Sequence, residues 1–559
     1  MADEPNLKSY ALQKLGQKGL DAIKAWEIGA WPEADRLFRE ALEAEPKNAD
    51  IWLTLGAFMG VIGQRMVAIT CHKKSIELEP NNAVCWHAYG ATMGNIGAAS
   101  IALHLQKRAL ELDPKLAPAR DGYAMALQKC HMVDDASREY EKLLLDYPDN
   151  TDVISHLCFT YLYQQGLEDE KLHAAHRYAG EVMEKLAPDV RTVWPNQKYV
   201  NKRLRVGFFS ADFREHSCAY FLEPLLRHLD KCQFEVYLYS FTTLPDRRTE
   251  VFKGLGHNWR EYVSHGPVLG KIREDQLDVA FDLGGHTAHY LKLFASRLAP
   301  VQISYLGYPA TTGLTRMDYR FTDEICDPVG TDQWHSEKLY RLPAPMWSYQ
   351  PPEIELRASP ATAAGHVTFG SFNNFGKMTD GMLALWGEIL AAVPTAHLVF
   401  KSTGLLDKLL APVIDARLDK AKLDPARVLL IGNIKGNVEH LEKYGLVDIA
   451  LDPSPFSGVT TTCEALWCGC PVVTLAGTRH SSRTGMSLLS AIGREEWIAR
   501  NPEEYVAIAA KLASDIPRLA QIRGGLREEM KRSPLMDYAR QAKRFGDAIR
   551  QCWKEHCEL

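Results

Sequence analysis

The 559-residue chain has no run of about 18 consecutive apolar residues, the length a membrane-spanning helix needs, so membrane spanning is not expected. Its first ten residues, MADEPNLKSY, offer neither a basic stretch nor an apolar core of the kind a secretory leader carries, and secretion is not expected either. A net charge of only −5 gives no call for nucleic acid or for an acidic membrane surface as partner. Twelve cysteines are scattered without a CxxC matched to a second CxxC or to an HxxxH; Cys463, Cys468 and Cys470 share one apolar helix-to-strand passage. Such cysteines read as reduced core thiols of a cytoplasmic protein. Asp-X-Asp, HExxH and Cys/His ligand sets are missing too, so the sequence implies no divalent metal. What remains is the 46% apolar, 24% charged composition of a soluble globular protein. The length, at about 150 residues per domain, suggests three or four domains.

Pro46, Pro80, Pro114 and Pro148 recur every 34 residues, each closing an amphipathic run: EALEAEP, KSIELEP, RALELDP, KLLLDYP. Ala34, Ala68, Ala102 and Ala136 keep the same register, as do Leu55–Gly56, Tyr89–Gly90 and Tyr123–Ala124, with Trp52 and Trp86 three residues ahead of the first two pairs. A period of two helices with small residues at their crossing resembles the tetratricopeptide repeat. Small residues let paired helices approach, and proline ends the second helix of each unit. Four or five stacked units form a superhelix whose concave face is either a scaffold without chemistry or a groove for a polypeptide. Residues 151–166 read as a last, degenerate unit, helices to about Leu186 cap it, and the proline-bearing stretch to residue 203 is a connector.

From Leu204 short apolar strands alternate with helices. RVGFFSADF, FEVYLYSF, DVAFDLGG, VQISYLG and YRFTDE make one parallel set; HVTFGSF, HLVFKS, RVLLIG, DIALD and PVVTL make a second, with a proline- and alanine-rich passage near residues 342–364 between them. Two doubly wound sheets in tandem place a ligand at the carboxyl ends of their strands.

The richest of those strand ends is GVTTTCEALWCGCPVV, from Gly458 to Val473. Gly458 permits close backbone approach, Thr460 and Thr461 stand where a helix begins, and Glu464 lies one turn in, placed to accept from a ribose diol. A helix start attracts anions, a pyrophosphate among them, although the same letters also describe an ordinary Thr-capped helix. NNFGK brings Asn374 and Lys377 beyond another strand, where a point cation would neutralise a departing diphosphate, and NIKGNVEH brings Lys435 and His440 to flank a base. In the first set His216 follows SADFRE, while Asp282 and His286 share the DLGG passage. Either histidine is placed to take a proton from an acceptor hydroxyl, or is a satisfied structural residue. The loop LGYPATTG, from Leu306 to Gly313, is a further glycine-bearing strand end.

In order, RVGFFSADFREH, YLGYPATTG with MDYRFTDE, SFNNFGK and FSGVTTTCEALWCGCPVVT closely resemble the landmarks of the O-linked N-acetylglucosamine transferase family, and the short array looks like that of a bacterial member. The resemblance spans nearly the whole chain. It implies an α-solenoid of tetratricopeptide repeats with capping helices (1–186), a connector (187–203), and the two Rossmann-like α/β lobes of a B-type glycosyltransferase (204–360 and 361–559, the latter with terminal helices). Lys377 would contact the diphosphate and stabilise the leaving group, Thr460 and Thr461 would bind phosphate, and Glu464 would hold the ribose where the animal enzymes have aspartate. His440 would pack near uracil, Lys435 matches if a small gap is allowed, and Leu306, Gly307 and Pro309 would line the sugar site. Val459 and Gly376 depart from a family histidine and tyrosine, which leaves the sugar open. The implied reaction is inverting, metal-independent transfer from UDP-GlcNAc to Ser or Thr hydroxyls of polypeptides held in the repeat groove, with no cofactor beyond the donor. His216 leads as base, followed by His286 and Asp282, and a donor phosphate oxygen is the alternative. A transferase for another hexose or a non-protein acceptor, and a scaffold that binds nucleotide sugar without turnover, are the competing readings.

Overall fold

The computed structural model describes residues 15–262 and 268–558, so the first ten residues, read above as lacking the features of a secretory leader, lie outside the described residues. Contacts divide the described residues into two compact units, one running to Thr160 and the other from Tyr161 onward.

Among the described residues the first unit holds four helix pairs, Gly16–Glu27 with Trp31–Ala44, Ala49–Val61 with Arg65–Leu78, Ala83–Asn95 with Ala99–Leu112, and Ala117–Lys129 with Val133–Asp146. The helix Thr151–Tyr161 opens a fifth. Each periodic proline follows the C-cap residue of a second helix (Glu45, Glu79, Asp113, Tyr147), where a residue without an N–H stops propagation. Ala34, Ala68, Ala102 and Ala136 are buried at the crossings. Gly56 and Gly90 make room for large polar side chains: a Cβ there would lie 2.8 Å from the His72 ring and 2.7 Å from the Gln106 amide. The indole N–H groups of Trp52 and Trp86 donate to the carbonyls of Pro46 and Pro80 at 2.9 and 2.8 Å, the same bond made one period apart.

The second unit contains two wholly parallel sheets. The first comprises β1 (Leu204–Ser210), β2 (Phe234–Ser240), β3 (Asn258–Glu261), β4 (Val279–Asp282), β5 (Val301–Ser304), β6 (Tyr319–Asp323) and β7 (Lys338–Leu342), in the order 3-2-1-4-5-6-7. The second comprises β8 (Thr368–Ser371), β9 (His397–Lys401), β10 (Val428–Ile431), β11 (Ile449–Leu451), β12 (Val472–Leu475) and β13 (Ile498–Ala499), in the order 10-9-8-11-12-13. All ten strands read from the sequence are present. The three it did not show are the polar β3, the edge strand β7 with its two charges, and the two-residue β13. Both sheets reverse their winding beside the first strand, between β1 and β4 and between β8 and β11, which opens a crevice there.

Two segments cross the boundaries that the sequence suggested. The helix Asp169–Leu186, grouped with the repeats above, belongs to the second unit, where its backbone lies against the loop after β5: a Cβ on Gly180 would stand 1.9 Å from the Gly313 carbonyl oxygen. The last helix, Tyr538–Glu558, returns to the first sheet, where Phe545 packs between Phe281 and Tyr305 at ring distances of 5.2 and 5.0 Å. Buried Asp323 and Asp327 tie the lobes together, accepting from the Ser487 hydroxyl and pairing with His480, both at 2.7 Å.

Candidate active site

The strand ends at the second switch point carry the groups expected of a donor site. Beyond β8, Asn374 Oδ1 accepts from Gly376 N–H at 2.8 Å and so caps the short turn Phe375–Lys377 that delivers the lysine inward. Asn374 is itself exposed; its neighbour Asn373 is the buried one, and its Oδ1 accepts from the Thr461 hydroxyl at 2.9 Å. Asn374 therefore shapes the loop, and Asn373 is the residue directed into the site.

Lys377 Nζ donates to the Ser457 carbonyl at 3.1 Å and stands 3.7 Å over the face of Phe456. Burial pushes its pKa down to about 8, partly offset by the charge of Asp452. Asp452 lies at the end of β11, accepts from Gly458 N–H and the Thr474 hydroxyl at 2.7 Å each, and is pushed up to about 6, chiefly by burial. The lysine is thus a poorly hydrated cation held by a carbonyl, an aromatic face and a carboxylate, poised for a stronger anion.

Beyond β11 the helix Thr460–Trp467 begins after Val459 with no side-chain cap on its first turn, leaving those N–H groups to an outside acceptor. The Thr461 hydroxyl is spent on Asn373 and that of Thr462 on the Gly458 carbonyl at 3.0 Å, so these threonines brace the loop while the backbone points outward. The glycine at 458 is required by protein packing: a Cβ there would meet Thr461 Oγ1 at 2.2 Å and Asn373 Oδ1 at 2.9 Å. Glu464 is buried one turn in, with Oε2 3.0 Å from His440 Nε2. His440 packs against the adjacent rings of Phe372 and Tyr444, and its Nδ1 is buried with no protein partner. An orphaned ring nitrogen beside a carboxylate suits a ribose hydroxyl or a base edge. Lys435 is exposed and is not gathered into this group.

The first switch point separates its candidates. His286 is buried, donates through Nε2–H to the Thr312 carbonyl at 2.9 Å, and is pushed down to about 4 by burial. Asp282 is buried as well, accepting from the N–H groups of Gly284 and Gly285 at 3.0 Å each, which anchors the turn that holds His286. Both side chains thus hold backbone groups of their own lobe. His216 differs: its side chain is 37% exposed. Nδ1 accepts from Cys218 N–H at 3.3 Å, and burial lowers its pKa against the opposing pull of Asp212. Asp212, His216 and Cys218 bring an oxygen, a nitrogen and a sulfur donor within 4.8 Å of one another, a grouping that no sequence motif announces. Leu306, Gly307 and Pro309 are half-buried at the end of β5; Leu306 adopts φ +75, and a Cβ on Gly307 would lie 2.1 Å from the Leu283 carbonyl oxygen.

The model of glycosyl transferase family 41 matches residues 154–348 and 354–545, covering both lobes and the helix that leads into them. The chain belongs to glycosyltransferase family 41. A probable UDP-N-acetylglucosamine–peptide N-acetylglucosaminyltransferase SPINDLY of Solanum lycopersicum is 40% identical over 399 residues, 70% of this chain and 43% of that protein. Its counterpart in Oryza sativa subsp. japonica is 38% identical over 428 residues, 75% and 46% of the two chains. The chain therefore spans less than half the length of these relatives. The structure of a lysine-to-methionine mutant of Thermobaculum terrenum O-GlcNAc transferase superposes with a TM-score of 0.86 at 30% identity, over 91% of this chain and 98% of that one. The family 41 chain thus has the repeat-plus-two-lobe fold expected from its sequence. Asn373, Asp452, Phe456 and Ser457 are the site residues of this family 41 chain that sequence reading passed over; DIALDPSPFSG and NNFGK contained them, but only the fold shows which side chains turn inward.

Proposed function

We propose that this chain is an inverting transferase that moves N-acetylglucosamine from UDP-GlcNAc to Ser or Thr hydroxyls of polypeptide acceptors. The observation that carries the reading is the placement of Lys377 beside an uncapped helix start: a desolvated cation and free N–H groups converge where a diphosphate would depart. Glu464 and His440 hold the nucleoside, Thr460 and Thr461 flank the phosphates, and Leu306, Gly307 and Pro309 border the sugar. Charge on the leaving group is met by Lys377 and the helix dipole, so the reading requires no divalent metal, and turnover is expected to survive chelation. Acceptors run as extended polypeptide along the repeat groove.

His216 faces the acceptor. Because Nδ1 already accepts from Cys218 N–H, the neutral ring presents Nε2–H outward. In this tautomer it donates a hydrogen bond, and the acceptor proton passes to a phosphate oxygen of the donor; action as base requires the other tautomer.

A second reading, transfer of a different hexose, is favoured by Val459, an apolar side chain that packs on the core where the family resemblance expects histidine. The deciding experiment incubates the purified protein with a panel of uridine and other nucleotide sugars and a peptide library, following nucleotide release and peptide mass, with Lys377→Ala as control. Modification of Ser or Thr by N-acetylhexosamine from UDP-GlcNAc alone supports the first reading. Turnover with another donor establishes the second, and binding without turnover on any donor overturns both.

A further inference from the structure

The cage around Lys377 has one wall that is supported from outside the second lobe. Phe456, whose face lies 3.7 Å from the ammonium, is met edge-on by Tyr163 at a ring distance of 5.0 Å and an angle of 69°. Tyr163 is buried and lies in the short passage between the helices Thr151–Tyr161 and Asp169–Leu186. That passage grips the lobe at two further points. Gln165 Oε1 accepts from Gly381 N–H at 3.0 Å, at the start of the helix Asp380–Ala392 that follows the lysine turn. A Cβ on Gly381 would lie 2.1 Å from Gln165 Nε2, so the contact is close. Asp169 accepts from the Thr478 hydroxyl at 3.0 Å and from Arg479 Nε at 2.5 Å, and Arg479 also donates to the Leu167 carbonyl. Tyr163, Gln165 and Asp169 thus press on the two loops that present Lys377 and Phe456 and on a third beside them.

We propose that Tyr163 is a positioning residue for the leaving-group lysine, acting through Phe456. An ammonium over an aromatic face keeps its place only while the ring does. The Phe456 ring is half-buried, and its T-shaped contact with Tyr163 braces it from the passage between the helices Thr151–Tyr161 and Asp169–Leu186. Freed of that brace, the ring swings, water reaches Nζ, and the cation no longer stands where charge develops. The proposal rests on the reading of Lys377 given above. The burial that holds Lys377 near a pKa of about 8 should then depend on Tyr163 through the Phe456 ring.

The test compares Tyr163→Ala, Tyr163→Phe and Phe456→Leu with the wild type in steady-state transfer from pH 6 to 10, with UDP affinity measured by calorimetry. Tyr163→Ala should lower kcat roughly ten- to hundredfold, as small misplacements of a catalytic group do, with donor KM and UDP affinity within about twofold. The alkaline limb of kcat should move upward from about pH 8, because a hydrated lysine returns toward its ordinary value. Tyr163→Phe, which keeps the ring edge, should restore both. Phe456→Leu, which keeps an apolar side chain in place, should reproduce the loss and so serves if the alanine variant does not fold. Wild-type kcat and an unmoved limb in both Tyr163→Ala and Phe456→Leu overturn the proposal, as does a loss that resides wholly in KM. If Lys377→Ala retains activity, the underlying role of the lysine fails instead, which is a separate result.

Discussion

The imidazole of His440 and the carboxylate of Glu464, residues from separate strand ends of the second lobe, meet at 3.0 Å with both side chains largely buried. Their pairing leaves His440 Nδ1 as a buried atom without a protein partner, the atom that the proposed donor nucleoside would satisfy. Glu464→Ala should weaken UDP binding roughly 10- to 100-fold, the range of a lost hydrogen bond to a charged group, without changing the fold. Calorimetric titration with UDP reads this directly, and Glu464→Asp should fall between the two. Unaltered affinity in the alanine variant would remove the pair from the donor site.

Lys377→Ala should reduce transfer by at least about 100-fold, the scale of losing an electrostatic contact made to developing charge. Stability should respond in the other direction at high pH. Its pKa is about 8 in the fold against 10.5 ordinarily, so the unfolded chain binds the extra proton between these values. Lys377 therefore contributes a gain in stability as pH rises from 8 to 10.5, and that increment should vanish in Lys377→Met. Chemical denaturation across the range measures it, and an unchanged slope would place the lysine in water.

His286 sets an acid limit. It is held neutral, near 4 against an ordinary 6.5, so the unfolded state takes up a proton that the fold does not. Its share of stability is complete above pH 6.5 and lost on falling through the window to 4. A His286→Asn variant should be less stable at pH 7.5 yet show a shallower acid transition. By contrast, His216→Ala should leave the melting temperature nearly unchanged while lowering turnover at intact UDP affinity. If His286 variants lost chemistry at full stability, the assignment of the two histidines would be reversed.

The strength of the sequence lay in periodicity and strand ends. The 34-residue period gave the repeats because identical helix crossings demand small residues at fixed spacing, and Ala34, Ala68, Ala102 and Ala136 are each buried for that reason. Lys377 and the Thr460 helix were legible because glycine and polar residues cluster where parallel strands end. Residues that act through partners distant in sequence were not. Asn373 and Asn374 are indistinguishable as letters, and only packing sends the first inward to Thr461 and the second outward as a cap. His286 and Asp282 carry the residue types of an acid–base pair, yet two backbone N–H groups and a carbonyl consume them. Tyr163 is 293 positions from Phe456, and no local pattern links them.

A close backbone approach within the second unit yields the last prediction. Gly180, within the helix Asp169–Leu186, and Gly313, after β5, face each other without side chains: a Cβ on Gly313 would lie 1.7 Å from the His176 carbonyl oxygen, and one on Gly180 1.9 Å from the Gly313 carbonyl oxygen. Gly313 also holds φ +77, where an L-residue is strained. The same interface aligns His176 Nε2 with the Tyr308 hydroxyl at 2.7 Å, in the loop that borders the proposed sugar site. Gly313→Ala must therefore push the helix off the loop, at a cost of at least about 2–3 kcal/mol from overpacking and backbone strain together. Gly180→Ala should cost a similar amount by sterics alone, since an ordinary helical conformation tolerates alanine there. Thermal unfolding should show both variants melting lower. Donor KM should rise in both through displacement of Tyr308, whereas Gly63→Ala, at a repeat turn with open space around it, should leave KM untouched.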